Sequence, residues 1–410
     1  MIARERLKGS TRHDYSRAVF TGNLAILQEF LLKQESVFWS ILRLFDFLLR
    51  GFGQVAFANN PISGLLIAIA LAVTASGTLI FSAITGFLGL LLSVLIRDRQ
   101  ENVANGVTVL NPLLVGAVSY ALIPKFYGSF DAFSILLVIL GTIFSVYLSR
   151  SLGNSKSPCL AWPFNLTEFA LLLVLYNQDN GVHTTEKLQP LIRMDNATSD
   201  ATTGDVSSIG ENVTGVHIDW GMVFQGIVLS ASQVFAVESV VTGSIVYLAT
   251  LLFSPTTAGF AFLGALIGSL AGLMLGVEIE EIYAGLWGYN AFLTGASLGG
   301  TLFVLNKQTG FATIVAIVFT VIVQYSVLFF FRDLKLPVLT LPFVLATTLF
   351  LKLRNNLSDK TFPQPTSISF PEKQRWDYYA NQQMLTQKVF DGVNGESGAE
   401  DGHAISEFNV

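Results

Sequence analysis

Residues 157–164 read SPCLAWPF and residues 336–343 read LPVLTLPF. Aligned on their prolines and phenylalanines, these stretches lie 179 positions apart, and the same offset holds far outside them. Gln54 and Val55 fall on Gln233 and Val234, and Gly64 falls on Gly243. Gly106, Asn111, Leu114, Gly116 and Ala117 fall on Gly285, Asn290, Leu293, Gly295 and Ala296. Chance likeness between apolar sequences matches Leu to Val; it does not set Gln, Asn and Pro on themselves in one register without a gap. The chain is an internal duplication.

The solvent of this duplicated unit follows from composition. Hydrophobic residues make up 51% of the 410 and charged residues only 13%, and the mean hydropathy is +0.56, beyond the needs of a soluble domain. Apolar runs at 37–58, 61–77, 79–96, 106–123, 133–150 and 160–177, and again from 218 to about 354, have the roughly 20-residue length that crosses a bilayer. The expected fold is an all-α polytopic membrane protein. No basic stripe with interleaved aromatics points to nucleic acid. The single cysteine, Cys159, excludes an intrachain disulfide and reads as a small core residue. No small-residue cleavage site follows the first apolar run, so that span is expected to insert as its own signal.

Five organisational units emerge. Residues 1–35 form a polar arm with Arg4, Arg6, Lys8, Arg12 and Arg17, which the positive-inside rule assigns to the cytoplasm. Residues 36–178 and 218–355 are the two transmembrane repeats. Between them, 179–217 is Thr/Ser/Asp-rich with sequons at Asn196 and Asn212, an expected extracellular glycosylated loop. A third sequon, at Asn165, lies inside an apolar run and carries no such meaning. Residues 356–410 read as a loosely ordered cytoplasmic tail. Six crossings in the first half would put the 179–217 loop on the cytoplasmic side. One run in each half is therefore expected to enter and return as a half-depth re-entrant helix, leaving about five spans and inverting one half relative to the other. The candidates are 106–123 and the run after Pro158.

Within a bilayer, repeated polar side chains need a reason. Gln54 and Gln233 open QVAFANNP and QVFAVESV; an amide donates and accepts, so it can replace water around a neutral polar solute, or it can tie two helices together. Asn111 and Asn290, in GVTVLNPLLVG and GLWGYNAFLTG, are equally suited to touch a solute or to tie off free backbone. The paired prolines free carbonyls or merely kink a helix. Glu168 and Glu238 are the carboxylates that an ion-coupled carrier would need, although neither recurs as an acid in the other half. The four histidines fall in tails and loop, no metal spacing or nucleophile elbow occurs in the spans, and neither an enzyme nor a cofactor is expected.

QVAFANNPISG, GLWGYN and LPVLTLPF resemble the urea transporter family, of solute carrier type, whose LPxxTxPF signature occurs once in each half; the resemblance covers roughly 36–355. It implies two inverted repeats of about five spans and a homotrimer among lipid, with one pore per subunit; the expected setting is the plasma membrane, with both termini cytoplasmic as the charge of the arm and the composition of the tail suggest. It also implies passive, channel-like diffusion of urea between apolar clamps and a file of acceptors. Carried over by position, Gln54 and Gln233 would begin the pore-lining helices, with Phe57 one turn on. Leu114 and Leu293 would clamp the solute, and Thr340 would offer an oxygen at mid-pore. Phe164 and Phe343 close the two signature motifs. The halves differ where Ala161 matches Thr340, where Leu110 matches Tyr289, and where Glu238-Ser239-Val240 matches Asn59-Asn60-Pro61. A more apolar mid-pore would admit related amides, ammonia or water. The alternative reading is an ion-coupled or broader-specificity transporter.

Overall fold

The computed structural model describes residues 21–126, 128–153, 158–186, 218–332, 334, 336–356, 359–366 and 368–384. The sequons Asn196 and Asn212, the basic residues of the arm and the tail beyond 384 lie outside them. The first half holds α1 (Ala25–Leu32), α2 (Val37–Gln54), α3 (Pro61–Thr74), α4 (Ser76–Leu95), α5 (Gln100–Ala104), α6 (Val107–Phe126), α7 (Ala132–Leu152) and α8 (Trp162–Glu186). The second holds α9 (Trp220–Gln233), α10 (Val240–Phe253), α11 (Pro255–Leu275), α12 (Ile279–Tyr283), α13 (Tyr289–Leu298), α14 (Lys307–Phe331) and α15 (Leu341–Leu351). A last helix, α16, spans 371–384.

Among the described residues, five helices are long and apolar enough to cross a membrane: those around Ser76–Leu95, Val107–Lys125, Ala132–Leu152, Pro255–Leu275 and Lys307–Phe331. Their outer faces carry exposed Ile80, Ile84, Leu91, Ile139, Phe144, Val318 and Ile322. Hydroxyls are turned inward instead: Thr85, Ser93, Thr142 and Thr320 are buried and bond carbonyls of their own helices. Apolar outside and polar inside is the arrangement that lipid selects. The chain is an all-α polytopic membrane protein.

The offset read from sequence recurs in the backbone. Helices α3 and α10, α4 and α11, α5 and α12, and α8 and α15 begin at positions related by it. So do four pairs of left-handed residues: Phe57 and Ala236 (φ 58° and 55°), Arg97 and Gly276 (55° and 67°), Gly106 and Gly285 (68° and 80°), and Leu160 and Leu339 (50° and 48°). A left-handed Phe, Arg or Leu costs about 1–2 kcal/mol, so its recurrence marks a position that both halves must bend. The divergent Asn59-Asn60-Pro61 and Glu238-Ser239-Val240 turns prove interchangeable. Asn60 caps α3 by accepting from the N–H of Ile62 and Ser63, and Ser239 caps α10 by accepting from Thr242.

Where the halves meet, α3 crosses α10. Ser63 Oγ, early in α3, donates to the Ala249 carbonyl, late in α10, at 2.7 Å, whereas Thr74 Oγ1, at the end of α3, meets Thr242 Oγ1, near the start of α10, at 2.6 Å. The two equivalent helices thus run antiparallel. At 14 residues each they rise only about 21 Å, short of the roughly 30 Å hydrocarbon core. The run 61–77 therefore does not supply a full span: α3 ends at Thr74, where Ala75 turns the chain. Of the runs expected to be half-depth, 106–123 is membrane-length in α6 but only 10 residues in its counterpart α13, and the run after Pro158 forms the 25-residue α8, whose counterpart α15, starting within the second signature, has 11.

The terminal segments share one face: Gly22 lies against the Phe370 ring, and the Asn23 amide reaches the Ile368 carbonyl at 3.5 Å. Arg50, fully buried, anchors this arm by donating to the Asn23 carbonyl while pairing with Asp46 at 2.8 Å. The stretch after 356 departs from the loose tail expected. Ser369, Phe370 and Gln374 are buried, and backbone N–H groups of Phe362, Asn355 and Thr361 hold the Asp359 carboxylate below its usual range. That turn is tightest above the depressed pKa and loosens as pH falls through it.

A Cβ on Gly64 would collide with the Leu49 carbonyl, and one on Gly243 with the equivalent Val228 carbonyl. Gly64→Ala and Gly243→Ala are each expected to destabilise the fold by about 1–3 kcal/mol. Thermal unfolding in detergent reads this; unchanged midpoints contradict the close helix approach.

Candidate permeation site

Each half breaks its helical run just before the signature helix, and a broken helix inside lipid leaves backbone groups that only protein can satisfy. One asparagine per half does this. Asn111 Nδ2 donates to the Leu160 carbonyl at 3.1 Å and its Oδ1 accepts from the Phe164 N–H at 3.1 Å; Asn290 makes the same pair with Leu339 and Phe343 at 3.2 and 3.3 Å. Of the two uses open to these amides, the bonds are structural: besides the backbone pair, Asn111 donates to Ser149 Oγ at 3.3 Å and Asn290 to Gln324 Oε1 at 3.1 Å. The backbone bonds hold the left-handed leucines and the first turns of α8 and α15, and neither asparagine lines the cavity described below. Pro163 and Pro342 lie in those first turns, where a missing N–H costs nothing. The free groups come from the break itself, not from a proline within a helix.

Gln54 and Gln233 end α2 and α9 rather than begin a helix. Each donates its amide to a carbonyl before a left-handed glycine: Gln54 to Asn105 at 3.0 Å, Gln233 to Ala284 at 2.7 Å. With one Nε2 hydrogen committed, Oε1 and the second N–H are what each amide can offer elsewhere.

A cavity of about 700 Å³ opens at the face shared by the termini. Arg97, Asp98, Glu101 and Arg150 line it together with Gln54, Phe57, Leu110, Leu114, Cys159, Leu160, Ala161, Leu293, Thr340 and Phe343. Eight of the residues singled out in the sequence thus meet in one space contributed by both halves. The rings of Phe57 and Phe343 make an edge contact there at 5.8 Å between centroids. Outside its lining are Asn111, Phe164, Gln233, Glu238, Tyr289 and Asn290. Phe164 is buried in the core, and Glu238 is exposed. Tyr289 is buried and donates its hydroxyl to the Leu339 carbonyl, which Asn290 also engages. Leu110 cannot do this. Leu160, whose carbonyl receives the Asn111 amide, is among the residues that line the cavity.

Asn165, set aside as a meaningless sequon, bridges the halves at mid-site: its Nδ2 donates to the Ala161 carbonyl at 2.8 Å and to Thr340 Oγ1 at 2.8 Å. The hydroxyl that Ala161 lacks is thus offset by an amide one turn on, which orients the Thr340 hydroxyl. Its counterpart at the repeat offset is Val344, so duplication could not flag it; a buried amide in an apolar run was the signal available. Glu168 is fully buried and accepts from Ser119 Oγ at 3.0 and 2.9 Å, away from the cavity lining.

A family model described as Urea transporter matches residues 45–355. The chain belongs to the urea transporter family. Among curated relatives, Urea transporter 1 of Mus musculus is 28% identical over 354 residues, covering 85% of this chain and 86% of the relative. Urea transporter 1 of Rattus norvegicus is 28% identical over 352 residues (84% and 86%), and that of Capra hircus 27% over 351 (84% and 86%). The family match encloses both asparagine clamps and both signatures, and ends before the C-terminal segment that reaches the cavity mouth.

Asn290→Leu orphans the Phe343 N–H and strips one donor from Leu339; a loss of about 2 kcal/mol is expected. Tyr289→Phe, which leaves the asparagine donor in place, is expected to lose about 1 kcal/mol. Unfolding midpoints in detergent check both. Equal, negligible effects contradict a clamp.

Proposed function

We propose that this chain conducts urea passively, as a channel, through the cavity between its halves. The observation that carries the reading is the composition of that cavity: Leu114 and Leu293, the equivalent leucines of the two halves, line it together with Leu160 and Thr340. Urea is planar, neutral and rich in in-plane N–H donors. Apolar side chains against its faces and oxygens along its edge replace its hydration, whereas a hydrated ion finds no comparable compensation. Family membership supports urea as the solute.

Inversion of the halves is part of this reading. Equivalent helices that cross antiparallel, as α3 and α10 do, are related by a two-fold axis perpendicular to their own direction; with these half-length helices along the membrane normal, that axis lies in the membrane plane. The contact between the described beginning and end of the chain supports placing both termini on one side, the cytoplasmic one, in a plasma-membrane protein glycosylated on the other. A cavity contained within one chain suits the homotrimer with one pathway per subunit that the family resemblance implies. Coupled transport needs a carboxylate that changes charge within the pathway. Glu168 lies off the cavity and Glu238 is exposed; the carboxylates that do line it, Asp98 and Glu101, are half-buried and exposed beside Arg97 and Arg150 and not buried groups at the leucine pair, which favours passive conduction.

Vesicles reconstituted with the full chain are expected to take up urea at a rate indifferent to imposed pH and Na⁺ gradients, and to discriminate against glycerol. Gradient-dependent flux abolished by Glu238→Gln contradicts the reading. Thr340→Val is expected to slow urea flux about fivefold, the value of roughly one hydrogen bond of about 1 kcal/mol, without impairing assembly. Gln54→Ala slows it less, and Ala161→Thr raises the ratio of urea to methylurea flux. If Ala161→Thr leaves that ratio unchanged, Ala161 is not at mid-pathway.

A further inference from the structure

The family match stops at residue 355, yet the chain beyond it is fastened to the second half at two places. Near its start, Asn306 Nδ2 donates to the Thr361 carbonyl at 3.1 Å, the Val304 N–H to Pro363 at 3.0 Å, and Arg354 Nε to Phe362 at 3.1 Å. Farther on, the Glu372 carboxylate accepts from Ser254 Oγ at 3.0 and 2.9 Å and from the Thr256 N–H at 3.0 Å. Such a carboxylate suits the positive end of α11, whose first turn this is. Between the two fastenings, Phe370 is buried in a small apolar cluster with Ala58 of the first half and Phe253 of the second. One ring thus packs on both halves.

The beginning of the described chain enters the same seam. Thr21 donates its N–H to the Leu252 carbonyl of the second half at 2.7 Å, and its hydroxyl accepts from Asn60 Nδ2 of the first at 2.7 Å. Gly22 lies so close to the Phe370 ring that a Cβ there would collide with it. The residues of the seam differ from their repeat counterparts in the way this clasp requires. Ala58 stands where the other half has Val237, Phe253 where it has Thr74, and Ser254 where it has Ala75. The small side chain makes room for the ring, the phenylalanine meets it, and the hydroxyl holds Glu372.

Ala58 follows Phe57, which lines the cavity and meets the Phe343 ring of the other half. Phe57 holds a left-handed φ of 58°, a conformation that a phenylalanine keeps only where its surroundings over-determine it. Part of that constraint is local: the Ala58 N–H donates to the Gly53 carbonyl at 2.9 Å, and the Asn60 N–H to the Ala58 carbonyl at 2.7 Å. The ring packed on Ala58 adds a constraint from outside the turn.

We infer that Phe370 is a positioning residue for permeation: held by Glu372 and by the Thr21–Gly22 segment, it clasps the Phe57–Asn60 turn of the first half to the 252–254 corner of the second and so fixes Phe57 in the pathway wall. The inference rests on the urea-channel reading and extends the determinants of the pathway beyond the residues that the family model matches. Loosening the clasp relaxes the wall, and a relaxed wall discriminates less between urea and a bulkier amide.

The test is paired urea and methylurea flux in vesicles carrying the full chain, for wild type, Phe370→Ala, Phe370→Leu and Glu372→Ala, with thermal midpoints in detergent alongside. Neither Phe370 nor Glu372 lines the cavity, so every lining side chain is kept. The ratio of urea to methylurea flux is expected to fall about threefold in Phe370→Ala, part of the roughly tenfold or more that one methylene commands in a fitted apolar passage. Phe370→Leu, which refills most of the space, returns the ratio most of the way to wild type, and Glu372→Ala lowers it less than Phe370→Ala does. A lowered midpoint with an unmoved ratio makes the clasp merely structural and overturns the inference. Should Phe370→Ala not assemble, Glu372→Ala decides: a fall in the ratio upholds the clasp, and an unmoved ratio overturns it. Wild-type vesicles without urea flux sink the channel reading and this inference with it. Normal wild-type flux with unmoved variant ratios sinks the clasp alone.

Discussion

A helix that stops inside a bilayer must have its loose backbone groups satisfied by protein, and in this chain one asparagine per half meets that requirement. Asn111 and Asn290 each hold the carbonyl of a left-handed leucine with one end of the amide and a helical N–H with the other. The left-handed turn is unfavourable for leucine on its own, so the clamp and the turn exist together. Because they do, α8 and α15 start where they do, and Ala161 and Thr340, the residues following those leucines, line a shared cavity.

Much of the architecture was legible because duplication copies constraints as well as residues. A Gln, an Asn or a Pro that recurs at one offset marks a backbone position that both halves must solve alike, and each recurring polar residue proved to be a backbone partner. The sequence alone left open whether the glutamine amides touched solute or structure; in the structure both donate to a carbonyl preceding a left-handed glycine. Runs of apolar residues were a poorer guide to helix ends. The run 61–77 looks like a span by length, but Ala75 breaks it, and periodicity carries no record of a single turned residue.

What repetition could not reveal is what only one half possesses. Asn165, opposite Val344 in the repeat, supplies the amide that bridges Ala161 and Thr340. Tyr289 gives the second half an extra donor to its clamped carbonyl, which Leu110 cannot give the first half's. The C-terminal segment, polar enough to read as loose chain, gains its order from contacts with residues 254, 256, 304 and 306, far away in sequence. The backbone is therefore nearly symmetric and the chemistry of the cavity is not. Of the equivalent pair Ala161 and Thr340, both of which line it, only the second brings a side-chain hydroxyl.

The central claim is that solute passes between the paired leucines where the two clamped breaks meet. An experimental structure of the full chain in lipid with urea, or its heavier analogue thiourea, at saturating concentration tests it most directly. The account predicts solute density between Leu114 and Leu293, with an N–H within hydrogen-bond distance of the Leu160 carbonyl or Thr340 Oγ1. Solute density elsewhere in the fold, with the leucine pair in contact and closed, would contradict it.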